Sequence, residues 1–236
     1  MTGEPGSEIG HVHRDVSGGW LRPAVFGAMD GLVTNIALIA GVGGSGAGAR
    51  VIVLAGVAGL VAGACSMALG EYASVQTQND QVQAEVAVEK EELRRHPRAE
   101  QAELVTSLMQ MGLTRGTAKQ VAEEVHANPA LAIRVHINQE LGVNPEDQPS
   151  PWVAAGSSFL CFGIGALVPL IPYLLGLPLL FVGLAAGAVG LFLAGALTSR
   201  FTTRSWWLGG LRQIGFGAIA AVATYLIGVL IGAGAG

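Results

Sequence analysis

The chain is poor in charge, in aromatics and in cysteine. Only 13% of its residues are charged and 6% aromatic, and its two cysteines are Cys65 and Cys161. Both cysteines fall inside apolar runs, so neither a disulfide framework nor a thiolate metal site is indicated. Thirteen basic residues stand against seventeen acidic ones, a formal net charge of −4, which leaves no footprint for nucleic acid. Metalloprotease, paired-cysteine and calcium-loop spacings (HExxH, CxxC, the EF-hand loop) are missing from the sequence. GVGGSGAG at 41–48 has no lysine and opens no strand–helix unit, so it is not read as a phosphate loop. The N-terminal MTGEPGSEIGHVHRDV has no apolar run and is not expected to be a signal peptide; His11 and His13 are read as part of a polar tail.

What the chain has in excess is apolar length. Half of its residues are hydrophobic, 35 are glycine, and mean hydropathy is +0.51. A membrane span needs about 20 mostly apolar residues. Five segments satisfy that length, 23–42, 51–73, 152–173, 178–198 and 210–233. The fold class expected is therefore an all-α membrane protein with five transmembrane helices. Pro169, Pro172 and Pro178 fall around a short turn between the third and fourth spans, where a missing N–H does least harm. Gly59/Gly63, Gly183/Gly187 and Gly228/Gly232 have the spacing that allows close helix approach or dimerisation.

Basic residues set the expected orientation. Arg14 and Arg22 precede span one, seven more lie between spans two and three, Arg200 and Arg204 lie between spans four and five, and Arg212 stands at the start of span five on the same side. Only Arg50 falls in a loop on the other side. The positive-inside rule puts the N-terminus and the 74–151 insert in the cytoplasm and the C-terminus outside. The expected division is thus a cytoplasmic segment 1–22, spans one and two over 23–73, a cytoplasmic helical insert over 74–151, and spans three to five over 152–236.

The insert reads as helices. Leu104, Leu108 and Met111, then Val121 and Val125, then Leu131, Val135 and Leu141 recur at helical spacing. Pro97 opens one helix that Gly112 closes, Thr114 caps the next, and Asn128-Pro129 precedes a third that ends before Gly142. With no breaker between Ala73 and His96, span two is expected to continue out of the membrane as one long helix.

Two groups of residues carry the chemistry. Asp30 sits inside span one, where a carboxylate costs about 2.5 kcal/mol or more and usually marks an ion or proton path. The competing role is packing, with the carboxylate satisfied by Thr34. At about 1.5 Å per residue, Asp30 lies about 10 Å into the membrane and Met67 of span two about 9 Å, with Glu71 one turn nearer the cytoplasm. A carboxylate and a thioether suit a borderline transition metal, although a lone methionine in a span is more often packing. In the insert, Glu85, Glu89 and Glu92 share one helix face, Glu100 and Glu103 another, and His136 and Glu140 a third. Like charges three or four residues apart repel, which a cation between them would offset. A solvated acidic face balanced by Lys90, Arg94, Arg95 and Arg98 is the equal alternative.

FGAMDGLVTN (26–35), AGACSMALGEYAS (62–74), GALVPLIPYLL (165–175) and SWWLGGLRQIGFGAIAAVATYLIG (205–228) together resemble the vacuolar iron transporter family, from Trp20 onward. That resemblance implies five transmembrane helices, a cytoplasmic helical metal-binding insert and a homodimer with the pathway at its interface. It implies export of Fe²⁺, often also Mn²⁺, from the cytosol with protons as the coupling ion, and no catalytic activity or prosthetic group. By the same resemblance, Asp30 and Met67 match the intramembrane pair, Glu71 an acid of the span-two motif, and Glu89, Glu92, Glu100, Glu103 and Glu140 the metal-binding glutamates. His136-Ile137 stands where plant-type members carry two methionines, so His136 would replace a sulfur by a nitrogen ligand. A prokaryotic plasma membrane is the expected residence, with a vacuolar membrane as the alternative. The competing functions are a storage or ferroxidase protein, for which the insert lacks Glu-x-x-His pairs on two helices, and a membrane metal sensor, which leaves Asp30 unexplained.

Overall fold

The structure, a computed structural model, describes residues 19–142, 144, 147–199 and 205–234. Among them every regular element is helical. Helix α1 is Leu21–Gly44, α2 Ala49–Arg95, α3 Pro97–Gln110, α4 Arg115–His126 and α5 Pro129–Leu141. Then follow α6 Pro151–Leu167, a 3₁₀ turn Val168–Leu170, α7 Ile171–Leu174, α8 Leu180–Thr198 and α9 Trp206–Gly234. Five helical stretches are long and apolar enough to span a membrane: α1, α2, α6 through α7, α8 and α9. The expected α2 continuity holds, in a single helix of 47 residues. The last helix starts four residues earlier than hydropathy suggested, at Trp206 rather than 210, because the two tryptophans and Leu208 extend it. His11, His13 and Arg14 lie outside the described residues, as do Arg200 and Arg204.

Glycine decides how the spans meet. Helix α1 touches α2, α6, α8 and α9, and it is the central strut of the bundle. At Gly27 and Gly31 a side chain would strike the α6 backbone at Ser158 and Phe162, and at Gly165 it would strike Ala28 of α1. Gly228 lies directly against Gly41, and Gly232 against Ser45. Thr224 of α9 donates its hydroxyl to the Ala37 carbonyl at 2.7 Å, a polar tie of the kind that helps hold helices together in lipid. Gly63 accommodates the Phe162 ring, Gly183 the Tyr173 ring and Gly187 the Ile36 side chain. The three glycine pairs singled out by spacing therefore all serve packing within the chain.

The insert folds on local signals. Thr114 accepts from the Thr117 amide and Asn128 from those of Ala130 and Leu131, satisfying helix N-termini that would otherwise be bare. Pro97 and Pro129 occupy first-turn positions, and Gly112 and Gly142 take positive φ at the helix exits. Leu104, Leu108, Ala118, Ala122, Val125 and Ala132 form the buried centre, flanked by Val121, Leu131, Val135 and Leu93 of α2. Met111 does not join it. It is 55% exposed, because α3 ends at Gln110 and the chain turns away through Gly112. The Leu141 side chain lies outside the described residues.

The helical insert thus hangs from the far end of α2. Where α2 leaves the bundle, Tyr72 packs on Trp152 of α6 with ring centroids 4.8 Å apart. Two turns further the Asn79 amide donates to the Pro149 carbonyl at 3.0 Å, tying the outgoing helix to the returning chain.

Candidate metal centre

Three separate helices bring three candidate ligands together. Glu89 comes from the extension of α2, Glu100 from the first turn of α3 and His136 from the middle of α5. One donor atom from each lies within 4.8 Å of the others. His136 Nδ1 stands 3.2 Å from Glu89 Oε1 and 3.5 Å from Glu100 Oε2. Ligand atoms about 2.1 Å from a first-row ion stand about 3.0–3.4 Å apart, so these spacings fit a shared ion.

The cluster is dry. Exposure is 5% for Glu89, 9% for Glu100 and 3% for His136. Glu89 Oε1 and His136 Nε2 are buried without a hydrogen-bond partner, so the 3.2 Å approach has the distance of an ion pair but not hydrogen-bond alignment. Buried polar atoms left in this state are costly unless something else pairs them. A cation bound by the three donors would do so.

The electrostatics agree. Burial first, then repulsion from Glu140, Glu100, Glu103 and Glu92, pushes the Glu89 carboxyl up to about 7. Glu100 is raised by burial, and by Glu103, Glu140 and Glu92. Glu140 is raised by burial, Glu103 and Glu85. The His136 imidazole is pushed down by burial and by His126, which keeps it neutral with a lone pair to offer. Negative charge crowded into a dry site is what a divalent cation relieves.

The other three expected ligands in the insert stand around this cluster without joining it. Glu92 is turned to the surface, where its carboxylate meets His96 Nδ1 at 2.8 Å. Glu103 and Glu140 are exposed and contribute negative potential at longer range. The balancing of an acidic face by neighbouring cations applies to Glu91, which holds Arg94 and Arg95, and not to Glu89 or Glu100. One residue that periodicity did not single out also belongs here. His126, at the end of α4, packs edge-on against His136 with ring centroids 5.3 Å apart. Its signals in the sequence are its place one turn after Ala122 on the buried stripe of α4 and its spacing three residues after Glu123.

Within the bundle, Asp30 is half-buried on α1 with Thr34 as its hydrogen-bonding neighbour. Asp30, Thr34, Ala37 and Gly41 follow helical spacing down one face, and that face meets α9 at Ala37 and Gly41. Met67 of α2 is partly buried and packs beside Ala64, Phe162 and Ala166. Glu71 is buried one turn further along α2, beside the Tyr72–Trp152 contact.

Five apolar spans with a soluble-type helical insert, the insert carrying a buried carboxylate–imidazole cluster that could hold a metal ion, define a polytopic membrane protein. The sequence profile of the VIT family matches residues 21–229, and the chain belongs to that family. It is 31% identical to a protein named vacuolar iron transporter 1 from Oryza sativa subsp. japonica, over 95% of this chain and 92% of the relative. A vacuolar iron transporter from Acanthamoeba castellanii is 34% identical over 94% and 83% of the two chains. One from Arabidopsis thaliana is 29% identical over 94% and 90%.

Proposed function

We propose that this chain carries Fe²⁺, and also Mn²⁺, out of the cytosol in exchange for protons. The observation that supports this most directly is the dry three-donor cluster of Glu89, Glu100 and His136 in the same chain as a carboxylate, Asp30, within a membrane span. Two carboxylates and an imidazole suit Fe²⁺ and Mn²⁺, and they suit Ca²⁺ less well, since Ca²⁺ prefers six to eight oxygens. The names of the relatives point to the same ion. In this reading the 74–151 insert is a cytoplasmic metal-binding domain, because the described basic residues Arg22, Lys90, Arg94, Arg95, Arg98, Arg115, Lys119, Arg134 and Arg212 fall on its side of the bundle. Metal is captured there, concentrated by Glu92, Glu103 and Glu140, and passed by Glu71 to Asp30 and Met67. The membrane is a plasma membrane in a prokaryote or a vacuolar one, as the relatives' names suggest. Flux of Fe²⁺ and Mn²⁺ into proteoliposomes, with and without a pH gradient, tests the function. No flux of either ion refutes transport and leaves a storage or sensing protein; flux indifferent to the gradient refutes proton coupling.

The working unit proposed is a parallel two-fold homodimer. Only α1 and α2 carry candidate ligands in the membrane, and α2 leaves a row of small residues open: Ala58, Ala62, Cys65, Ser66, Gly70 and Ala73 are all exposed along it. Small residues in lipid mark surfaces where helices approach closely. The expected mass of the detergent-solubilised, transport-competent protein is twice that of the chain. A functional species of single-chain mass would refute the dimer.

Proton competition at the insert is the most direct consequence of its electrostatics. Glu89 must lose its proton to bind metal, and its carboxyl is held up at about 7. Affinity should therefore rise with pH and level off above pH 7. The Glu89 proton alone makes binding about tenfold weaker at pH 6 than at pH 8. Titrating Mn²⁺ into the purified protein at both pH values measures it, and equal affinities would remove Glu89 from the ligand set.

A further inference from the structure

We infer that His126 is a positioning residue for the metal centre: it accepts the Nε2–H of His136 and so holds that ring with Nδ1 free to bind the ion. The inference rests on the reading of Glu89, Glu100 and His136 as ligands.

The argument starts from which nitrogen carries a proton. His126 Nδ1 lies 2.8 Å from the Ala122 carbonyl oxygen, one helical turn back. A carbonyl only accepts, so Nδ1 is the protonated nitrogen of a neutral His126 and Nε2 bears the lone pair. That Nε2 is buried and has no hydrogen-bond partner. His136 presents the complementary need. Its Nδ1 is the nitrogen that faces both carboxylates, so metal binding takes that lone pair and leaves the ring proton on Nε2. His136 Nε2 is likewise buried and without a partner.

The two unpaired atoms are thus a donor and an acceptor on adjacent rings. The rings stand edge to face, 86° between planes, with centroids 5.3 Å apart. Paired when the site fills, they would give a chain from the ion through His136 and His126 to the Ala122 carbonyl. Ligating histidines almost always donate their second N–H to a carboxylate, a carbonyl or water, which fixes the tautomer and raises ligand basicity. Here the acceptor is another imidazole, itself oriented by the backbone of α4. The α4 helix, which supplies no ligand, is thereby tied to the occupancy of the site formed by α2, α3 and α5.

The test uses the full-length protein in detergent with Mn²⁺ as the probe, comparing wild type, His126→Gln, His126→Leu and His136→Ala. Equilibrium titration gives affinity, and pulsed EPR counts the imidazole nitrogens bound directly to Mn²⁺. Wild type should show one coordinated imidazole, lost in His136→Ala. His126→Leu should weaken Mn²⁺ binding about 10–100-fold, the usual cost of removing such a partner. His126→Gln, whose amide oxygen can accept the same proton, should recover most of that affinity and keep one coordinated imidazole. Wild-type affinity in His126→Leu, or a Gln variant no better than Leu, would overturn the inference. So would two coordinated imidazoles in wild type, which would make His126 a ligand. Absence of any coordinated imidazole in wild type, or its persistence in His136→Ala, would instead overturn the ligand reading on which the inference rests.

Discussion

Asp30→Asn is expected to reduce metal flux by about 100-fold or more while leaving the protein inserted and folded. A carboxylate within a span costs about 2.5–3.5 kcal/mol, and on a transport path the passing cation offsets that cost. Asparagine keeps the size and the hydrogen bond with Thr34 but removes the charge, so stabilisation of the ion falls by a similar amount, about two powers of ten. Insertion should become easier by the same reasoning. The packing role makes the opposite forecast, since asparagine satisfies Thr34 as well as aspartate does. Initial rates of Mn²⁺ uptake into proteoliposomes, normalised to reconstituted protein, separate the two. Near-normal flux in Asp30→Asn would remove Asp30 from the pathway.

Glu89→Gln should move affinity and stability in opposite directions. A buried carboxylate ligand gives way to a neutral amide, and metal affinity should drop by about 100-fold, at least the loss seen when a ligand's supporting partner is removed. Transport should fall at limiting metal and recover at high metal, because the membrane pathway is untouched. The sign for stability follows from the Glu89 carboxyl being raised from 4.5 to about 7 in the fold. A carboxyl raised on folding binds its proton more tightly in the folded than in the unfolded chain. Its ionisation therefore works against the fold, increasingly from pH 4.5 to pH 7 and fully above it. At pH 8 and without added metal, Glu89→Gln should accordingly melt at a higher temperature than wild type. With saturating Mn²⁺ the order should reverse, since only wild type gains fully from binding. Thermal melts at pH 8 with and without Mn²⁺ check both signs. A variant that melts lower in both conditions would mean that Glu89 supports the fold rather than a metal.

Much of this molecule is written locally in its sequence. The spans follow from apolar length, because lipid offers no partner for an unpaired backbone group and only helices of that length satisfy it. The cap at Thr114, the boundary at Asn128-Pro129 and the exits at Gly112 and Gly142 were legible because each depends on a few neighbouring residues. The unbroken α2 was legible for the same reason, from the lack of a breaker before His96. The chemistry of the site could be read as well: carboxylates and an imidazole gathered on helix faces, and one carboxylate in a span.

Tertiary packing decided the rest. Periodicity places Glu89 and Glu92 on one face of α2, yet only Glu89 turns inward, while Glu92 bonds His96 at the surface. That choice depends on where α3 and α5 lie against α2, and helix spacing within one segment holds no record of it. The glycine pairs carried the same limit. Their spacing says that something approaches closely, but only the assembled bundle shows Gly228 on Gly41 and Gly63 on Phe162 within one chain. His126 is the clearest case. Its ring meets His136 from another helix, ten residues and a turn away, and the two unpaired nitrogens become visible only when both helices are in place. The sequence by itself determined the helices and the kinds of candidate ligand they carry, because those depend on local hydrogen bonding and on transfer into lipid. Which ligands meet, and how dry their meeting place is, was decided by helix packing, because burial and distance between segments are properties of the folded chain alone.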